Sequence, residues 1–124
     1  MLVNSKSNIP IYSQIAEMIE DQILNGDLQE NEQVYSTNQL AKLLNVNPAT
    51  ARKGLNLLLE EEIIFKKRGL GMFTNIGAQE KIKRKRCKSF SANYIDSMVI
   101  EAKKIGLTKE HVIDLIKSTD WGNR

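Results

Sequence analysis

The sequence predicts a mainly α-helical fold with one small β-hairpin, and three observations support that prediction. Apolar residues recur at helical spacing in the N-terminal half and again from residue 90 onwards. Two helix-start signals lie close together around residues 36 and 47. A run of branched and aromatic residues around a glycine-containing turn then interrupts the helical pattern at residues 63–74. We expect residues 1–76 to form one domain and residues 77–124 a short helical region.

The first two helices are predicted from periodicity and from their flanking residues. The first runs from about Ile11 to Asn25, with Pro10 suited to its start and Gly26 to its stop. Its apolar face consists of Tyr12, Ile15, Ile19 and Ile23. Ser36 and Gln39 form a capping-box pattern, which predicts the start of the second helix. Its core-facing residues are expected to be Leu40, Leu43 and Leu44.

The third helix follows after a tight turn, and a hairpin follows it. Asn47 is a preferred N-cap, and Pro48 suits the first helical position because its missing N–H would be unpaired anyway. The buried stripe is predicted to be Ala51, Leu55, Leu58 and Leu59. Residues 63–74 are then predicted to form the hairpin, whose tip between Lys66 and Gly71 carries three cations.

The C-terminal region is predicted to be helical. Gly77 marks a break, after which one long helix is expected to end at Gly106, and Thr108 can cap a last helix. The net charge is only +3, but residues 81–88 carry six positive charges in eight positions. A solvated helix face and a set of phosphate contacts both fit this basic run.

Length and composition limit the class of protein. The chain has 124 residues and no apolar run near the roughly 18 residues that a membrane span needs. Residues 1–6 lack the basic-then-apolar pattern of a signal peptide, and the single Cys87 allows no internal disulfide. We therefore expect a cytoplasmic protein with no membrane partner.

The order of the elements is helix, short helix, tight turn, helix and basic hairpin, which is typical of a winged helix-turn-helix. In that fold the third helix enters the major groove of DNA and the hairpin, or wing, lies beside it. Short polar side chains and cations are needed at those places, and the sequence supplies them at Asn47, Thr50, Arg52, Lys53, Lys66, Lys67 and Arg68. Gly69 and Gly71 would let the wing backbone approach a phosphate.

Four segments support a more specific interpretation: PIYSQI at 10–15, QLAKLLNVNPATAR at 39–52, LLLEEEII at 57–64 and RGLGMF at 68–73. Together they resemble the GntR family of bacterial regulators, in particular its short YtrA-like subfamily. The C-terminal region is similar to that subfamily in its length and in Tyr94 and the segment EAKKIGLT at 101–108. The resemblance implies DNA contacts from Ser36, Asn38, Asn47, Pro48, Ala49, Thr50, Arg52, Arg68, Gly69, Leu70 and Gly71.

Two departures from the family pattern lie before and within the second helix. The family usually has Leu-Pro-Ser where this chain has Val34, Tyr35 and Ser36, and it usually has an arginine at the position of Asn38. An arginine that reads a base contributes roughly 1–3 kcal/mol of discrimination. We therefore expect affinity or site preference to differ from that of relatives.

The resemblance also implies that the C-terminal helices dimerise. The apolar residues agree, because two isolated helices could not hide Phe90, Tyr94, Met98, Ile105, Val112, Leu115 and Ile116. A dimer would place two reading helices about 34 Å apart on palindromic operator DNA. The predicted function is a homodimeric repressor of its own or a neighbouring operon, which the resemblance suggests contains transporter genes. A small ligand at the dimer interface remains an alternative use of the Tyr94 and Met98 stripe.

Other functions fit the sequence less well. Glu60–Glu62 has no partner carboxylates or nucleophile in a recognisable pattern, and His111 stands alone, so the sequence predicts no enzyme, metal site or cofactor. Cys87 lies among cations that favour a thiolate, although an ordinary thiol also fits. A protein-interaction module would use the same basic face for an acidic partner. An RNA-binding adaptor would need more exposed aromatic residues than Tyr35 and Phe65.

Overall fold

A computed structural model describes residues 3–122, which form two compact units, one ending at Arg84 and the other beginning at Lys85. As predicted, the fold is mainly helical with one antiparallel hairpin. The first unit contains α1 (Ile11–Leu24), α2 (Thr37–Leu44), α3 (Pro48–Glu60), β1 (Ile64–Lys67) and β2 (Gly71–Thr74). α4 (Ala78–Phe90) continues into the second unit, where a π-helical turn (Ser91–Ile95), α5 (Asp96–Lys104) and α6 (Lys109–Ser118) follow.

The core of the first unit forms where α1, α2 and α3 meet the hairpin. Ile15, Ile19 and Ile23 are buried on α1, as their spacing predicted, and they pack with Leu40, Leu55, Leu58, Ile63 and Ile64. Gly54 permits a close approach of α1 and α3, since a Cβ there would lie 2.9 Å from the Tyr12 carbonyl oxygen. Burial of these side chains is the main favourable term in the stability of this unit.

The predicted starts of α2 and α3 are confirmed in detail. The N–H of Gln39 donates to Ser36 Oγ at 3.1 Å, and the N–H of Ser36 donates to Gln39 Oε1 at 2.9 Å, which completes the capping box. At α3 the N–H of Ala49 donates to Asn47 Oδ1 at 2.8 Å, with Pro48 in the first turn. Asn45 adopts a left-handed conformation at φ 53°, which lets the chain turn sharply between the two helices.

The prediction that Leu43 faces the core is wrong, because its side chain is 56% exposed. The buried residues of α2 are Leu40, Ala41 and Leu44. Ala41 shifts the centre of that stripe, so that Leu43 lies about 100° away from it around the helix axis. Leu59 on α3, predicted to be buried, is only half-buried.

The hairpin has a third backbone segment beside it. β1 and β2 pair with Phe65 opposite Phe73 and Lys67 opposite Gly71. Along the other edge of β2, the N–H of Val34 donates to Met72 O at 2.8 Å and the N–H of Thr74 donates to Glu32 O at 2.9 Å. The polar stretch before α2 therefore covers an edge that would otherwise be open.

The start of α4 belongs to the first unit, although it carries the beginning of the basic run. Ala78 and Ile82 are fully buried in the core. Glu30 Oε2 accepts the N–H of Gly77 at 2.6 Å, and Lys81 Nζ lies 3.4 Å from Glu62 Oε2. Residues 81–84 are therefore not a plain linker. The predicted boundary after residue 76 falls just before α4, and the separate roles assigned to the two regions remain predictions.

The second unit is helical with little interior. The expected long helix is present, because helical backbone continues from α4 through the π-helical turn into α5, and α5 ends before Gly106, as predicted. Thr108 Oγ1 accepts the N–H of His111 at 3.1 Å and so caps α6, also as predicted. Among the described residues beyond Arg84, only Ala102 is buried. An apolar groove of about 460 Å³ runs between α5 and α6.

Within residues 3–122, no helix is both long enough and apolar enough to cross a membrane.

Candidate nucleic-acid interface

The beginnings of α2 and α3 form two neighbouring polar helix ends. Only the eight residues of α2 and a three-residue turn lie between them in the chain. Ser36, Asn38 and Asn47 are exposed there, as the prediction requires. The capping side chains hold each helix end in place, so these residues shape the surface as well as lining it.

The two helix ends differ chemically. At α3 the first backbone donors are already used, because Ala49 donates to Asn47 Oδ1 while Thr50 and Ala51 donate to Asn47 O. At α2, within the part of the chain that the structure describes, the N–H groups of Thr37 and Asn38 have no hydrogen-bond acceptor. The start of α2 is therefore suited to a phosphate, whereas α3 can offer only side chains.

One exposed face of α3 carries the side chains that could read DNA. Ala49, Arg52, Lys53 and Asn56 are exposed and follow helical spacing, while Pro48 lies exposed at the end and Thr50 is half-buried. Lys53 Nζ lies 4.1 Å from the centre of the Tyr12 ring, so its cation leans towards the start of α1. Asn56 was not among the predicted contact residues. Its position four residues after Arg52 was the signal that could have identified it.

The three predicted wing cations do not form one patch. Successive strand residues point to opposite faces, so Lys66 and Lys67 are separated by the hairpin. Lys67 Nζ lies 4.5 Å from the centre of the Phe73 ring and 5.7 Å from that of Phe65. Arg68 is exposed at the turn, followed by Gly69 at φ 78° and the exposed Leu70.

Sequence reasoning missed Gln33, which joins the wing to the segment before α2. Its side-chain Nε2 donates to Leu70 O at 2.9 Å. Gln33 and Leu70 lie 37 positions apart in the chain, so neither helical periodicity nor a capping pattern could predict their contact.

The two aromatic residues near the predicted interface, Tyr35 and Phe65, each contact a neighbouring side chain. Tyr35 is half-buried and its hydroxyl accepts from Gln22 Nε2 at 3.3 Å. Phe65 is half-buried with its ring centre 6.1 Å from that of Phe73. Two half-buried aromatic residues fall short of the exposed aromatic surface that an RNA-binding adaptor would need.

The predicted dimerisation residues all lie in the second unit and most are exposed. The rings of Phe90 and Tyr94 pack against each other in a tilted arrangement, with ring centres 5.5 Å apart. Met98, Val112 and Ile116 line the groove between α5 and α6, whereas Ile105 and Leu115 are exposed outside its lining. Cys87 is exposed, and the described residues contain no group of three histidine, cysteine, aspartate or glutamate side chains that could hold a metal.

The first half of the chain is clearly similar to known transcription regulators. The family model of bacterial regulatory proteins of the gntR family matches residues 11–74. The transcriptional repressor NagR of Bacillus subtilis is 35% identical over 75 residues, which are 60% of this chain and 31% of NagR. The transcriptional repressor YtrA of the same organism is 25% identical over 93% of this chain and 88% of its own length.

Several solved structures also share the fold of this chain. A GntR family transcriptional regulator from Listeria monocytogenes superposes with a TM-score of 0.77 at 30% identity, covering 93% of this chain and 99% of that one. The DNA-binding domain of AraR in complex with operator ORX1 has a TM-score of 0.55 at 23% identity over 60% of this chain and 94% of its own. The chain spans about a third of NagR but nearly all of the Listeria regulator.

Proposed function

The chain belongs to the GntR family of bacterial regulatory proteins and is YtrA-like, and from this premise we propose that it is a homodimeric repressor. It is a DNA-binding transcription regulator. Its target would be a palindromic operator in its own or a neighbouring operon, including genes for a transporter. It would act in the cytoplasm, where the chromosome is.

The observation that supports operator reading best is the exposed face of α3. Its backbone donors are engaged within the helix start, while Arg52, Lys53 and Asn56 project from one side. Base edges in the major groove are read by such side chains. AraR, whose DNA-binding domain shares this fold, is known in complex with its operator.

Affinity would come mainly from phosphate contacts. The open N–H groups of Thr37 and Asn38, together with Arg68 and Lys67, are suited to contacts with the DNA backbone. The other residues of the predicted set would fix the register on DNA, through the side chains of Ser36, Asn47, Pro48, Ala49, Thr50 and Leu70 and through the backbone at Gly69 and Gly71. Because phosphate contacts release counterions, binding should weaken with salt.

Dimerisation is supported by how little the second unit can bury alone. Among its described residues only Ala102 is buried, and α6 has ten residues, a length that is marginal for an isolated helix in water. A second copy would cover Phe90, Tyr94, Met98, Ile105, Val112, Leu115 and Ile116. A small effector could occupy the same groove between α5 and α6.

Fluorescence anisotropy tests the proposal. The full chain is titrated with the duplex upstream of its own operon and with a scrambled duplex, each at two salt concentrations. Tight binding to the first and weak, salt-sensitive binding to the second supports the repressor. If the operator lies elsewhere in the genome, selection from a random duplex library should still recover its sequence. Failure to enrich any sequence would contradict operator recognition and favour the protein-interaction module.

A further inference from the structure

We propose that Gln33 is a positioning residue of the wing, which fixes the hairpin tip relative to the start of α2. The inference rests on the proposed function for its effect on DNA, but the positioning itself can be measured without DNA.

The first observation is the hydrogen bond between Gln33 and the tip. Gln33 Nε2 donates to Leu70 O at 2.9 Å, and the N–H of Leu70 donates back to Lys67 O at 3.0 Å. Leu70 is therefore held on both sides, through its carbonyl by the Gln33 side chain and through its amide by the hairpin turn. The Leu70 side chain itself stays 66% exposed and so contributes little to holding the tip.

The second observation is the fit between Gln33 and Gly71. A Cβ at residue 71 would lie 2.7 Å from Gln33 Nε2, closer than side chains pack. Gly71 also has φ 119°, a conformation that other residues rarely adopt. The tip backbone thus leaves a space that the amide of Gln33 fills.

The third observation is that the backbone around Gln33 is fixed to the wing. We call residues 31–36 the strap. Asn31 donates its N–H to Thr74 O at 2.8 Å, Val34 donates to Met72 O at 2.8 Å, and Gln33 forms a bridge with Phe73. The strap ends at Ser36, the N-cap of α2. One short segment therefore holds the wing tip and begins the helix whose free N–H groups suit a phosphate.

This arrangement explains how a glycine-rich tip can present Arg68 in a defined place. With glycines at 69 and 71, the tip would sample many conformations if nothing held it. Ordering it only on binding would lower the affinity, whereas a tip held in advance avoids that loss. Gln33 supplies the restraint from a residue that need not touch DNA.

The test compares Gln33→Met with wild type in the full chain. Methionine keeps the length of the side chain and removes the amide donor. Gln29→Met is the matched control, since Gln29 is an exposed glutamine on the same loop before α2. Backbone ¹⁵N relaxation is measured at residues 68–71, and thermal unfolding is measured to show that each variant folds.

The expected result is faster internal motion of residues 68–71 in Gln33→Met and none of this change in Gln29→Met. With the duplex that wild type selects from a random library, Gln33→Met should bind about 3- to 10-fold more weakly, as expected for one lost neutral hydrogen bond. Its salt dependence should also be shallower by about one phosphate contact, which a general loss of stability would not produce.

Unchanged tip motion in Gln33→Met would overturn the inference. Increased tip motion with unchanged DNA affinity and salt slope would overturn its role in binding. If the wild-type chain selects no duplex, the proposed function fails, and the relaxation measurement alone still decides whether Gln33 positions the tip.

Discussion

Among single residues, Gly54 sets how closely α1 approaches α3. We predict that Gly54→Ala lowers the free energy of unfolding by about 1–2 kcal/mol. Overpacking a filled core costs about 1–3 kcal/mol, and the better helix propensity of alanine offsets up to about 1 kcal/mol. The contact is with the Tyr12 backbone carbonyl, which cannot rotate away as a side chain can. Urea denaturation measures the change.

Asn56→Ala is the control for this prediction, because it gives the same product residue on the exposed side of α3. It should leave the free energy of unfolding unchanged or slightly raised. A Gly54→Ala protein as stable as Asn56→Ala would show that α1 can move away at no cost.

Arg52 and Lys53 are adjacent cations that we expect to differ in DNA binding. Arg52→Ala should weaken binding to the selected duplex by about 5- to 150-fold, since a base-reading arginine contributes roughly 1–3 kcal/mol of discrimination. Lys53→Ala should have a smaller effect, because the amine leans over the Tyr12 ring. Anisotropy titrations of both variants on selected and scrambled duplexes measure the difference. Equal losses on both duplexes for Arg52→Ala would indicate a phosphate contact instead.

At the scale of elements, the start of α3 combines a structural cap with a proposed DNA contact, and two substitutions separate them. Asn47→Ala should lower the free energy of unfolding by about 1 kcal/mol because the N–H of Ala49 loses its acceptor. Asn47→Asp keeps that acceptor and places a negative charge at a helix N-terminus, which is favourable. Its stability should therefore be preserved while its DNA affinity falls. Unfolding and anisotropy measurements on the same two proteins give both readouts.

A drop in stability for Asn47→Asp would contradict the assignment of Asn47 Oδ1 as the cap. Undiminished DNA affinity for the same variant would mean that residue 47 does not approach the DNA.

At the scale of the whole molecule, the second unit is expected to join two copies. Leu115→Glu should shift the mass in sedimentation equilibrium from dimer to monomer, since a charge would be buried between copies. DNA affinity should then fall by about 100-fold or more, because the two reading helices no longer bind as one. Leu43→Glu is the matched control, as both leucines are 56% exposed and Leu43 lies in the first unit.

The control should remain dimeric by mass. If Leu115→Glu also remains dimeric, the exposed side of α6 does not form the interface, and the groove between α5 and α6 becomes the surface to test next.

Local signals predicted most of the first unit. The capping box at Ser36, the cap at Asn47 and the α1 stripe depend on residues within one or two helical turns, and the structure bears them out. The exposed polar face of α3, Asn56 included, follows from the same periodicity. Which of the site residues contact DNA, and whether the chain dimerises, remain predictions.

The sequence alone determined the type and order of the elements, because helix periods, caps and turn residues act over a few positions. Only the tertiary structure showed that Leu43 faces solvent, that Ile82 within the basic run is buried, and that Gln33 reaches the wing tip. These facts depend on contacts between segments far apart in the chain, and such contacts are set by how surfaces fit in space. No local pattern specifies that fit.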